Sequence, residues 1–193
     1  MRIVVYGTGG VGGYFGGRLA QAGEDVTFIA RGEHLRAIRA NGLRVDGPNG
    51  DFVIDPARAT DNVNETGETD LVILGVKAWQ VPDAARAIKH VVGPTTTVLP
   101  LQNGVDAVPQ LVAELGSANV VGGLCRIVSY VVEPGHIRHA GFAPTIIIGG
   151  TRRSTHRTHR EDRRSIQARR PGHNHRRRYS SCTLDEVSLH RVL

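Results

Sequence analysis

Residues 1–30 read MRIVVYGTGGVGGYFGGRLAQAGEDVTFIA, and the order of residue types in this stretch decides the fold. The short apolar, β-branched run 1–6 closes at Gly7 and reads as a parallel strand buried on both faces. Gly7-Thr8-Gly9-Gly10-Val11-Gly12 then matches G-x-G-x-x-G. Residues 11–22 place Val11, Phe15, Leu19 and Ala22 at helical spacing, Gly23 stops that helix, and 25–30 supply a second strand. A strand, a glycine turn, a helix and a second strand form the βαβ unit in which this motif holds a dinucleotide. The missing side chain permits a tight turn at Gly7, close approach of a pyrophosphate to the backbone at Gly9, and close helix–strand packing at Gly12. The helix N-terminus then offers free N–H groups and its positive dipole end to the phosphates.

The end of the second strand selects the cofactor. An NAD site places Asp or Glu about 20 residues past the glycines for the ribose 2′-hydroxyl, whereas an NADP site has a cation there. Here the strand ends in Ile29-Ala30-Arg31-Gly32 with no acid at its tip. Arg31 is therefore the candidate for the 2′-phosphate of NADP(H), through a bidentate guanidinium contact; a solvated arginine at a strand end is the alternative. Further along, 33–41 has helical periodicity through Leu35 and Ile38, and 43–54 reads as a hairpin around Gly47-Pro48-Asn49-Gly50. A buried strand at 70–77, a helix at 81–91 and a strand with its exit loop at 97–104 follow. This alternation predicts an α/β fold with a doubly wound, mainly parallel sheet of the Rossmann type, whose ligands lie beyond the carboxyl ends of the strands. Lys77 and Asn103 both stand at such ends, with an exposed helix-start lysine and a turn-forming Asn-Gly as the alternative readings.

The chain has 193 residues, 40% of them apolar, enough for one domain with a real core. That composition argues against a collagen, a membrane bundle or a disulfide-stapled miniprotein, and no apolar run approaches the roughly 20 residues needed to span a bilayer. Two cysteines, Cys125 and Cys182, and an opening strand without a charged leader point to a reduced, cytoplasmic setting. Cys125, in an apolar stretch without a nearby base, reads as a small core residue rather than a nucleophile. The net charge of +6 is unevenly spread. Residues 1–150 hold 12 Lys and Arg against 14 Asp and Glu, whereas 151–193 hold 12 Arg against 4 acids.

Several further pieces make the first 149 residues specific: Val76-Lys77-Ala78-Trp79-Gln80, Gln102-Asn103-Gly104-Val105, Gly122-Gly123-Leu124-Cys125, and Glu133-Pro134-Gly135-His136-Ile137-Arg138-His139. Together with Gly7 to Gly12 and Arg31 they resemble the 2-dehydropantoate 2-reductase (ketopantoate reductase) family, in family order. The resemblance implies NADPH-dependent reduction of 2-dehydropantoate to pantoate, on the route to pantothenate and coenzyme A. It implies that Lys77 and Asn103 contact cofactor and substrate, chemistry that suits an ammonium facing a carboxylate and an amide orienting a ribose or hydroxyl. Trp79 is expected to pack rather than to bind, and His136 and His139 lack metal-ligand company, so no metal is expected. The implied partners are a small 2-keto acid and, for full-length relatives, further copies of the chain, with neither membrane nor nucleic acid among them. The family's C-terminal helical domain, which carries its general-acid lysine, has no counterpart in these residues. No catalytic residue is therefore assigned, and the truncated chain is expected not to turn over.

Residues 151–193 read as a separate text, an Arg-rich tail following a 1–150 NADP-binding domain. Literal readings are a disordered basic tail, a nucleic-acid-binding arm or a histidine-rich metal tract. Only Tyr179 offers an aromatic face among the arginines, and the histidines show no recurrent ligand spacing. A shifted reading frame accounts better for the abrupt change. With permitted codons and one base added at Gly149-Gly150, residues 150–153 hide Glu-Leu-Asp-Gly, 156–159 hide Thr-Glu-Arg-Ile, and 184–192 hide Trp-Met-Lys-Phe-Leu-Phe-Ile-Ala. These strings resemble the family's linker and the Leu-Trp-x-Lys start of its C-terminal domain. Two other functional classes stand beside this reading: a non-catalytic dinucleotide-binding module with a polyanion-binding tail, and an NADP-dependent reductase of another 2-keto acid.

Overall fold

The computed structural model describes residues 1–150 and a strand at 180–183. In chain order its elements are β1 (Arg2–Tyr6), α1 (Gly10–Gln21), β2 (Asp25–Ile29), α2 (Gly32–Asn41), β3 (Leu43–Asp46), β4 (Phe52–Ile54), β5 (Arg58–Thr60), β6 (Leu71–Leu74), α3 (Val81–Ile88), β7 (Thr97–Pro100), α4 (Ala107–Leu115), β8 (Val121–Glu133), β9 (His136–Gly150) and β10 (Ser180–Thr183). Short 3-10 turns occupy Val63–Thr66 and Ala78–Gln80. The first sheet runs β5-β2-β1-β6-β7 and is parallel throughout. Strand order reverses between β1 and β6, and such a switch point opens a crevice at the carboxyl ends of the strands.

β1 is apolar on both faces because both are covered. Ile3 and Val5 join a core with Tyr14, Phe15 and Leu19 of α1, while Val4 and Tyr6 join another with Val81, Ala85 and Ile88 of α3 and Leu111 of α4. The predicted helix at 11–22 starts one residue earlier and stops as expected. Gly23 has φ 93°, its N–H donates to Ala20 O, and the Glu24 N–H donates to Leu19 O. This left-handed termination is open to glycine at little cost.

The hairpin at 43–54 forms, but outside the parallel sheet. β3 and β4 pair antiparallel, and β3 runs parallel to the start of β9, which in turn pairs along its length with β8. This second sheet, absent from the sequence reading, covers the face of α1 remote from β1. A Cβ at Gly12 would collide with Gly7 O. At Gly16 it would sit 2.6 Å from Val5 Cγ2. On the opposite face, Gly10 abuts the Ser129 carbonyl, a Cβ at Gly13 would lie 2.8 Å from Ile137 Cγ1, and one at Gly17 would lie 3.1 Å from Val45 Cγ2. The five glycines cost helix propensity of about 1 kcal/mol each relative to alanine, and they let two sheets close on one helix.

The second sheet is tied by a buried carboxylate. Asp46 accepts from Arg44 Nε at 2.9 Å, Arg138 at 3.3 Å and His136 Nε2 at 2.5 Å. Burial pushes its carboxyl up, but these hydrogen bonds outweigh that and hold it down at about 2. β10 pairs antiparallel with β9 across Thr145 to Ile148. The tail, expected to lack regular structure, thus supplies one short strand that satisfies backbone groups along β9. The other expectations for 151–193, including the shifted frame, lie outside the described residues. No helix among the described residues is long and apolar enough to cross a membrane.

Candidate functional site

A cleft of about 640 Å³ opens where β1, β2 and β6 end, at the reversal in strand order. Of the residues singled out in the sequence, Gly7, Thr8, Gly9, Arg31 and Lys77 line it. Three of its walls come from the parallel sheet and its exit loops. The fourth comes from the end of β8 and the turn after it, through Val131, Val132, Glu133 and Pro134, which sequence reading did not foresee.

Gly7 takes φ 99°, and its N–H donates to Ile29 O at 3.2 Å, closing the turn against β2. A side chain there would strike Val76 N at 2.9 Å, and one at Gly75 would strike Gly7 O at 2.5 Å. Gly75 is therefore as necessary to the turn as the glycines of the motif, and only the tertiary approach of β6 to β1 identifies it. Gly9 faces free space, with no atom within 4 Å of the Cβ position. Among the described residues its N–H has no protein acceptor. That combination suits an anionic oxygen at the N-terminus of α1.

At the remaining motif positions the space for a side chain is taken up by the fold. Gly10 and Gly12 are consumed by packing on opposite faces of α1, and Val11 is half-buried against the core. The Thr8 hydroxyl donates to Ile29 O at 3.0 Å, so that side chain belongs to the turn.

Arg31 stands immediately before α2, exposed at the cleft, and among the described residues it makes no ion pair. Lys77 follows β6, with its backbone N–H bonded to Gln80 Oε1 at 3.0 Å. The loop under it is clamped by Gln102, whose amide donates to Leu74 O at 2.9 Å and Val76 O at 3.0 Å. Leu74 and Pro100 are paired across β6 and β7, so Lys77 and Asn103 stand at equal distances along the chain beyond adjacent strand ends. Asn103 is exposed and does not line this cleft. Trp79 is corrected: it is 78% exposed and packs in no core, because the 3-10 turn that carries it lies outside both sheets. Cys125 is half-buried, its thiol contacts Leu101 O at 3.4 Å, and burial pushes its pKa up, so it remains a thiol.

His34, which the sequence reading passed over, lies in the same cleft. Its Nε2 lies 2.7 Å from Thr8 O, and its Nδ1 accepts from the Gly135 N–H at 2.9 Å.

The chain is similar to known proteins over its first 150 or so residues. A curated 2-dehydropantoate 2-reductase of Pyrococcus horikoshii is 36% identical over 147 residues, covering 76% of this chain and 47% of that protein. An uncharacterized oxidoreductase of Bacillus subtilis is 33% identical over 149 residues, 77% of this chain and 48% of its own length. Among solved structures, 2-dehydropantoate 2-reductase from Geobacter metallireducens superposes with TM-score 0.74 at 35% identity, covering 78% of this chain and 49% of that one. The chain thus spans about half the length of the relatives it matches. Residues 3–152 match the family described as ketopantoate reductase PanE/ApbA, and the chain belongs to that family.

Proposed function

We propose that residues 1–150 are the NADPH-binding half of a 2-dehydropantoate 2-reductase. One observation carries the reading: a glycine turn with an open backbone, an unpaired arginine at the end of β2 and a lysine at the end of β6 meet on one cleft. In this reading the N–H groups at Gly9 and the start of α1 take the pyrophosphate, and Arg31 takes the 2′-phosphate. Lys77 neutralises the keto-acid carboxylate or the dinucleotide, and Asn103 orients the ribose or the reacting oxygen from the neighbouring strand end. When bound, the nicotinamide supplies a hydride to the substrate ketone. Reduction of a ketone would also need a proton at its oxygen, and the family resemblance puts the donor lysine in the C-terminal half. The 193 residues alone accordingly bind the cofactor without turning over 2-dehydropantoate. Cytoplasmic residence belongs to the same reading.

The tail belongs to it too, as a shifted reading of the linker and of the start of the C-terminal domain. Sequencing the gene across the Gly149 and Gly150 codons tests this: one surplus base followed by an open frame through Leu-Trp-x-Lys supports it. A confirmed frame removes it and favours the polyanion-binding module, whose affinity should collapse as salt rises.

The binding claim is tested by Arg31→Ala in fluorescence titrations. NADPH affinity should fall more than tenfold while NADH affinity changes less than about threefold, since only the former loses a charge-assisted contact. Equal weakening of both removes Arg31 from the 2′-phosphate.

A further inference from the structure

Among the described residues that bound the cleft, His34 is the one whose side chain bonds two separate walls. Its ring is half-buried on the first turn of α2. One nitrogen meets a carbonyl, that of Thr8 in the glycine turn, and the other meets an N–H, that of Gly135 between β8 and β9. A carbonyl only accepts and an amide N–H only donates, so both bonds exist together in one state alone, the neutral imidazole protonated on Nε2. Burial pushes the His34 pKa below its usual 6.5, opposed by the Thr8 carbonyl, in keeping with a ring held neutral. Arg31, Lys77, Asp83 and Glu133 line the same cleft, Glu33 precedes His34 within α2, and His136 follows Gly135 in the chain. Burial, rather than any of these charges, dominates the shift.

The two bonds act on the proposed dinucleotide site. In a trans peptide the carbonyl and the following N–H point in opposite directions, so fixing Thr8 O toward the imidazole turns the Gly9 N–H away from it. Thr8 is already held on its other side by its N–H and hydroxyl, both bonded to Ile29 O. The Gly135 bond docks the hairpin turn, and the Gly135 carbonyl also accepts from Arg44 N at 2.9 Å. This turn adjoins Glu133 and Pro134, which line the cleft.

We propose that His34, as the neutral Nε2–H tautomer, is a positioning residue that locks the glycine turn to the β8–β9 turn, so that the Gly9 amide and the hairpin wall are preset for a dinucleotide diphosphate. This rests on the dinucleotide-binding reading above. Protonation puts a second N–H on Nδ1 facing the Gly135 N–H, and the lock opens. Affinity should therefore be full above pH 6.5 and decline as pH falls through the lowered His34 pKa.

The test measures NADP⁺ binding to the full chain by calorimetry, for wild type, His34→Ala and His34→Gln, between pH 5.0 and 8.0. Gln keeps a donor for Thr8 O and never ionises. At pH 7.5 His34→Ala should bind about tenfold more weakly, the scale of one lost hydrogen bond, and His34→Gln should lie within about threefold of wild type. The cofactor's own 2′-phosphate titrates near pH 6, so the pH readout is the ratio of wild-type to His34→Gln affinity, which should fall toward pH 5. In ¹⁵N spectra at pH 7.5, wild-type His34 should show a protonated Nε2 and a bare Nδ1, a readout that survives even if the alanine variant does not fold. Unchanged affinity in His34→Ala, a constant ratio, or an Nδ1–H tautomer overturns the lock while leaving the dinucleotide reading intact. Wild type that binds neither NADP⁺ nor NADPH overturns both.

Discussion

The two sheets on either side of α1 were built by different rules. In the parallel sheet each of β1, β2, β6 and β7 has neighbours on both faces, and its side chains form near-continuous apolar runs such as Ile3-Val4-Val5 and Leu71-Val72-Ile73-Leu74. In the second sheet β8 alternates: Cys125, Ile127 and Ser129 are half-buried, while Leu124, Val128 and Tyr130 are 47–55% exposed. A strand covered on both faces declares itself by composition, whereas one covered on a single face does so by period. The comparison also shows where the site draws its parts. The parallel sheet contributes the glycine turn, Arg31 and Lys77, and the second sheet contributes a wall that no glycine motif announces.

The sharpest way to break this contrast is at α1, where both sheets meet. Gly12→Ala drives a Cβ into the Gly7 carbonyl, backbone that cannot yield without parting β1 from the helix. A loss above about 4 kcal/mol in denaturant unfolding, or failure to fold, is expected. Gly13→Ala faces the second sheet, where its tight contact is with the Ile137 side chain at 2.8 Å and the Thr8 carbonyl stands at an ordinary 3.6 Å. Repacking costs about 1–3 kcal/mol and helix propensity returns about 1 kcal/mol, so a net loss of about 1–2 kcal/mol is expected. Equal losses for the two variants would erase the distinction between the interfaces.

Asp46→Asn probes what anchors the second sheet. Because its carboxyl lies lowered from 3.8 to about 2, Asp46 contributes stability that is fully present above pH 3.8 and is lost as pH falls through about 2. The variant should be less stable than wild type at pH 6, and in urea titrations the gap should hold down to about pH 3.8 and narrow from there toward pH 2. A gap independent of pH would mean that the carboxylate charge is not the anchor. The smallest effect belongs to the open face: Tyr130→Ser should change stability by no more than about 0.5 kcal/mol, and a larger loss by thermal melting would show that face to be covered in solution.

Much of the fold was legible because local signals agreed. Gly23 ended α1, the alternation of apolar runs and helices pointed to a parallel sheet, and the hairpin at 43–54 was found at its turn. That hairpin could not be assigned to a second sheet, since its partner β9 lies some 90 residues away and pairing leaves no local mark. For the same reason Gly13 and Gly17 carried no local mark of the second sheet, and Gly10 was legible only as a motif position. Motif spacing and strand ends singled out Gly7, Gly9, Arg31 and Lys77, which line the cleft, and Asn103, which does not. Gly75, Gln102 and His34 were not singled out, because each acts through a contact with a carbonyl or N–H on another element. Trp79 was misjudged as packing, since hydrophobicity alone does not say whether a turn lies over a core.

The sequence by itself determined the βαβ start, the doubly wound, mainly parallel character of the first sheet and the kind of ligand its glycine turn suits, because these depend on period, turn chemistry and spacing within some 30 residues. The tertiary structure alone decided that α1 is pressed between two sheets, that the β8–β9 turn closes the cleft, and that His34 joins that turn to the glycine loop. Those outcomes depend on which backbone groups come within hydrogen-bond or van der Waals reach after collapse, distances that no local pattern encodes.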